Sequence, residues 1–118
     1  MTIPEATTEF RSAASAKGDF HVDTTEDHTL HERMTAAFAF LASLGPEGRA
    51  AFVALLEDDS PHVRSWVSAQ LLSEGEASAV PVVEQLALEP GLLGFRAQIT
   101  LREFRAGRLR SPFATHVT

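Results

Sequence analysis

Apolar side chains return at three- and four-residue steps along almost the whole chain, and every run ends at a glycine, a proline or both. That period lines them along one face of an α-helix, whereas a strand would show strict alternation. Pro4 and the Glu/Ala run after it open a first helix over about 4–17, with Gly18 where a C-cap would stand. The acidic stretch 19–26 reads as a loop, with Thr24 and Thr25 as candidate N-caps for a second helix. Leu30, Met34, Phe38, Leu41 and Leu44 form the face of that helix, and Gly45 ends it. Pro46 starts a third helix carrying Phe52, Val53, Leu55 and Leu56, which stops at Glu57-Asp58-Asp59-Ser60-Pro61. Ser60 is then the N-cap of a fourth helix with Val63, Trp66, Val67 and Leu71 inward, broken by Gly75. A fifth is expected from about Glu76 to Leu88, with Pro81 tolerated near its start, and a sixth from about Leu92 to Ala106 after the Pro90-Gly91 turn. The expected architecture is all-α, six helices in about three antiparallel pairs. Residues 1–110 read as a single domain and 111–118 as an irregular C-terminal tail.

A chain of 118 residues is long enough for one core and too short for two ordinary ones. It contains no cysteine, which excludes disulfides, thiol nucleophiles and Cys-ligated zinc. Residues 1–20 include Glu5 and Glu9 and no continuous apolar run, so they do not read as a signal peptide. Nothing approaches the roughly eighteen apolar residues of a membrane span. The expected location is the cytoplasm. The net charge of −6 is unevenly spread: residues 1–89 hold five basic and fifteen acidic side chains, −10, while residues 90–118 hold five arginines against Glu103, +4. An acidic bulk argues against general nucleic-acid binding and suits a partner with a basic surface, or simply a solvated exterior.

Two segments repeat. Leu55-Leu56-Glu57 through Val63-Arg64 matches Leu86-Ala87-Leu88-Glu89 through Phe95-Arg96 about 32 residues later, each a helix, a short turn, an apolar residue plus Arg, then a helix. A unit of that length cannot bury its apolar face alone and needs a stacked neighbour. The string from Gly45 to Arg64, with Leu55-Leu56 ending one helix and an Asp59-x-x-x-x-Arg64 turn, resembles a HEAT repeat. The resemblance implies a HEAT-like α-solenoid in which Asp59 and Arg64 bridge or cap neighbouring turns. Arg96 keeps the second position of that turn, but Glu89-Pro90-Gly91 replaces its Asp. The order of the chain, with Gly18-Asp19-Phe20 and an ending Leu101-Arg-Glu-Phe-Arg-Ala-Gly107, is similar to a family of small bacterial HEAT-like domains of unknown function. A single Lys against nine Arg, with abundant Ala, fits a GC-rich genome.

Candidate chemistry is thin. His28 and His31 lie on one helix face beside Asp27 and Glu32, the spacing a metal pair needs, but only His21 or Asp23 could add a third ligand. The more economical reading is an acidic helix start favoured by the dipole, and no metal or cofactor is expected. Ser60 and His62 sit at a helix start where capping accounts for the serine. There is no nucleophile elbow, phosphate-binding loop or His-Glu-x-x-His, so no catalytic residue is expected. Trp66, the only tryptophan, is either core or a half-exposed anchor, and with Gln70, Gln98 and Arg102 would form one partner-binding patch. Arg96, Arg102, Arg105, Arg108 and Arg110 could grip phosphate, but helix-dipole complementation and acidic neighbours explain them more simply. The expected function is a non-enzymatic protein-binding module. One version is a bacterial immunity protein that plugs a basic toxin with segment 19–32 or with Glu57, Asp58 and Asp59. Alternatives are an adaptor or regulatory subunit working through Trp66, and a nucleic-acid-backbone binder working through the C-terminal arginines.

Overall fold

Among the described residues six α-helices follow in chain order: α1 (Ile3–Lys17), α2 (Thr24–Ser43), α3 (Pro46–Ala54), α4 (Pro61–Ser73), α5 (Val80–Leu86) and α6 (Gly91–Arg105). The computed structural model describes residues 1–17 and 24–113, and no strand occurs among them. Gly18, His21, Asp23 and the rest of segment 18–23 lie outside the described residues, as do residues 114–118.

The boundaries follow local chemistry. Thr2 and Glu5 cap α1 reciprocally: the Thr2 amide donates to the Glu5 carboxylate and the Glu5 amide to the Thr2 hydroxyl. The Ser60 hydroxyl accepts from the Val63 amide, and Pro61 occupies the first turn of α4. Gly45 turns the chain out of α2 at φ 70°, a left-handed conformation that a side chain would resist. Two expectations change in register. Thr24 and Thr25 belong to α2 rather than to a loop before it, so its acidic first turn holds Glu26 and Asp27. The fifth helix begins at Val80, because residues Ala77–Ala79 form a 3₁₀ turn and Pro81 suits only the start of an α-helix.

α1 and α2 make the broadest helix–helix contact; α3 packs on α2 and α1, α4 on α1, and α5 and α6 on α4. Phe10, Met34, Leu41, Phe52, Val67 and Leu71 are fully or nearly fully buried at the centre. Phe10 meets Phe52 edge-on at 5.4 Å between centroids, the geometry the ring quadrupoles favour. Gly48 sets the approach of α3 to α2, since a β-carbon there would stand 1.8 Å from the Leu41 carbonyl oxygen. The principal extents are 35 × 34 × 33 Å and the radius of gyration is 13.5 Å, as for a close-packed chain of this length. No helix among the described residues is long and apolar enough to cross a membrane.

Residues 111–113 form no helix or strand, in keeping with an irregular segment, but they pack onto the domain. Phe113 is 4% exposed and is part of the core. Its ring lies 5.5 Å from those of Phe10 and Phe38 and 5.6 Å from the His31 imidazole. The Ser111 hydroxyl donates to the Gln70 side-chain oxygen, and His31 Nε2 lies 2.8 Å from the Pro112 carbonyl, which can only accept. The domain therefore continues at least to residue 113. Helix periodicity cannot report a segment whose burial comes from one anchored ring rather than from a repeating face.

Candidate functional site

Trp66 projects from the middle of α4, where the Val63–Val67–Leu71 stripe turns inward and Trp66 falls on its flank. It is half-buried. One side of the indole meets His31 at 5.6 Å and Phe113 at 6.0 Å, and the Lys17 ammonium sits 5.6 Å from the ring centroid. Lys17 is itself 9% exposed and is paired with Asp27. That contact holds the Asp27 carboxyl below the usual carboxylate range, opposed by slight burial and helped by the fields of His31 and Arg96. Trp66 therefore closes the core beside the C-terminal segment and still presents one side outward.

That outward side walls a groove of about 280 Å³ between α4, α6 and the chain end. Trp66, Ala69, Ile99, Leu109 and Pro112 make its surface apolar, and Arg96 and Arg110 stand at its edge. The far wall exists because of the segment that sequence reasoning reads as irregular. Leu109 and Pro112 are held there by the Ser111–Gln70 bond, the His31–Pro112 bond and the buried Phe113 ring. The only signal in the sequence is Leu109 and Phe113 four residues apart around a Ser-Pro pair, too sparse to separate from a loop.

α6 is apolar on two opposite faces. At about 100° per residue, Leu93, Ala97 and Leu101 share one direction, and Leu92, Phe95 and Ile99 point about 180° away. The first three are buried. On the other face Leu92 is 51% and Phe95 57% exposed, with Leu88 at 82% in the preceding turn. A surface helix ordinarily carries one apolar stripe. This one carries a second that runs from the start of the helix into the Trp66 groove.

The four residues expected to form one patch are separated by the structure. Gln70 is 4% exposed, donating from its amide nitrogen to Glu74 while its oxygen receives Ser111, so it is a clasp and not a surface. Gln98 is exposed but donates to the Ala87 carbonyl at 3.2 Å, tying α6 to the end of α5. Gln98 and Arg102 line a separate hollow with Leu101 and Arg105, more than a quarter-turn around α6 from the groove. Two pairs of residues spaced four apart, one on α4 and one on α6, share a patch only when the facing sides of those helices coincide, which counting along each helix does not reveal.

The turn expected to bridge repeats is built with a different acid. Asp58, whose side chain is 8% exposed, accepts from Arg11 Nε and from the Ser60 amide. Arg64 donates to the Asp58 carbonyl at 2.7 Å and the Asp59 carbonyl at 3.2 Å, so it caps the turn through backbone oxygens rather than through the Asp59 carboxylate. Asp59 and Glu57 are exposed. Arg96, the equivalent of Arg64 one unit later, makes no such bond among the described residues and faces the groove.

The histidine pair divides. His31 turns inward onto Trp66, Phe113 and Pro112, while His28 faces out beside Glu32 at 3.1 Å. Among the described residues no three His, Cys, Asp or Glu side chains come together as a metal site would need. A second cleft of about 380 Å³ between α2 and α3 is walled by Phe38 and Phe52 and edged by Arg49, which is engaged by Glu74 and Glu76. Of the C-terminal arginines, Arg105 pairs with Glu84 and Arg108 with Glu103. Comparison of the chain with protein families, with curated proteins and with solved structures gives no match.

Proposed function

We propose that this chain is a non-enzymatic protein-binding module of HEAT-like helix pairs, acting as an adaptor or regulatory subunit through the outer face of α6 and the Trp66 groove. What supports the repeat reading is that α1/α2 and α5/α6 pair broadly and that α4 packs on α1, α5 and α6, while α3 and α4 touch only slightly. The observation that carries the binding reading is the second apolar stripe of α6. A surface helix normally turns a polar face to solvent. Here Leu92 and Phe95 are more than half exposed beside a half-buried tryptophan, the kind of side chain enriched where binding energy concentrates.

A second reading, an acid-anchored immunity protein for a basic toxin, is favoured by the exposed Glu57 and Asp59, which make no side-chain ion pair among the described residues. Asp58 is a poor anchor in either case, since Arg11 and the Ser60 amide already use its carboxylate. One affinity-capture experiment separates the two, using the purified chain, a Phe95→Asp form and a Glu57→Lys/Asp59→Lys form as baits. A partner kept by the double lysine form and lost with Phe95→Asp supports the α6 surface. The opposite pattern supports the acidic turn, and a partner retained equally by all three refutes both.

A further inference from the structure

We propose that the Trp66 groove takes an acidic peptide segment of its partner, with an apolar side chain set against Trp66 and Ile99 and carboxylates on Arg96 and Arg110. This rests on the reading of the chain as a protein-binding module and adds the chemistry of the partner.

The argument comes from sorting the five C-terminal arginines by what explains each. Arg105 and Arg108 have carboxylate partners within the chain, Glu84 and Glu103. Arg102 stands in the last turn of α6, where a cation complements the helix dipole. Arg96 and Arg110 have neither explanation. Arg96 is in the first half of α6, away from its carbonyl end, and Arg110 lies beyond the helix. Neither forms a hydrogen bond or ion pair through its side chain among the described residues, and both are exposed. Asp27 feels the field of Arg96, but its carboxylate is taken by Lys17. These two unneutralised guanidiniums are the two that stand at the mouth of the apolar groove.

Two cations flanking an apolar trough are complementary to a chain that alternates carboxylates with Leu, Phe or Trp. Guanidinium is suited to the task, since it presents a planar fork of donors to carboxylate and is weakly hydrated. A second copy of this chain fits less well. Two copies meeting through this groove would bring four arginines together, and the groove's lining holds no carboxylate to receive them. Nucleic acid also fits less well, because two arginines neutralise few phosphates on a chain whose net charge is −6.

The test uses the full chain and its only tryptophan as reporter. A short random-peptide display library is panned on the wild-type chain and on Arg96→Glu/Arg110→Glu. The expected winners from wild type carry Asp or Glu around an aromatic or leucine and shift Trp66 emission on titration. They weaken as salt rises, and they lose about tenfold or more in affinity on the double variant. Because both arginines are exposed and unpaired, the double variant should melt with the wild type, so a loss of binding is not a loss of fold. Winners that are cationic, that leave Trp66 emission unchanged, or that bind the double variant equally would overturn the proposal. So would an empty selection, or a thymidine homopolymer that binds more tightly than any peptide and competes for the Trp66 shift. None of these results alters the capture experiment above, which judges the module reading by itself.

Discussion

Phe113→Ala tests whether the chain end is core. The ring is 4% exposed and has four aromatic neighbours, Phe10, Phe38, His31 and Trp66, with centroids between 5.5 and 6.0 Å away. Truncating a buried phenylalanine typically costs about 3–5 kcal/mol, of which part is the cavity left behind. Phe113 lies near the edge of the fold, where the flanking segment can partly collapse into the space, so the lower end applies, about 3 kcal/mol. If the segment also releases the Ser111–Gln70 bond, the loss grows by about 1 kcal/mol. For 118 residues the entropy of unfolding near the midpoint is about 0.25 kcal/mol/K, so Tm should fall by about 12 °C or more. That is a large share of the total stability expected for a domain this size. Thermal unfolding by circular dichroism measures it, with Arg110→Ala as an exposed neighbour that should change Tm little. Trp66 emission gives an independent reading, since loss of Phe113 exposes the face of the indole that it covers. A Tm within about 3 °C of wild type, or unchanged Trp66 emission, would refute the claim that the segment is packed.

Other perturbations probe other links. Gly48→Ala should destabilise by about 3 kcal/mol or prevent folding, because its β-carbon would press on the backbone of Leu41 rather than on a side chain that can move; chemical denaturation decides it. Asp58→Ala should cost about 1–2 kcal/mol through the lost bond to the Ser60 amide, with the exposed Arg11 adding little, whereas Asp59→Ala should be near neutral. The carboxyls of Glu9 and Asp27 are held low by hydrogen bonds from Arg33 and Lys17. A lowered folded value stabilises above the unfolded value and is lost as pH falls through the folded one, so stability should decline below about pH 4. Asp27→Asn should flatten that decline in a pH series of denaturant midpoints, and an unchanged slope would count against the Lys17 contact. Leu92→Ser with Phe95→Ser should leave Tm unchanged or raised and reduce partner capture; a Tm drop of several degrees would place those side chains in the core instead.

Much of the fold is legible in the order of the residues. The steps Leu30–Met34–Leu41 and Val63–Val67–Leu71 mark buried faces, and all six of these side chains are buried. Ser60-Pro61 and Gly45-Pro46 mark helix boundaries because capping and φ preference act within a few residues. The same locality explains the misplaced start of the fifth helix, where a 3₁₀ turn and an α-helical turn have nearly the same composition requirements. Trp66 stands out as a candidate by its type and position, but its companions do not. Gln70 is on the same helix as Trp66, one turn away, yet it is buried by Ser111, forty-one residues further along.

The amino-acid order alone determined that this chain is helical, how many helices it forms and roughly where each begins and ends, since those depend on spacing and on capping within one turn. Which side of α6 would be left uncovered, which of the C-terminal arginines would lack a carboxylate partner among the described residues, and that Phe113 would cross back to meet Phe10 and Phe38 were decided only by the tertiary arrangement. Each of these depends on contacts between residues distant in the chain. An apolar or charged side chain has the same local signature whether a remote element covers it or leaves it open to water.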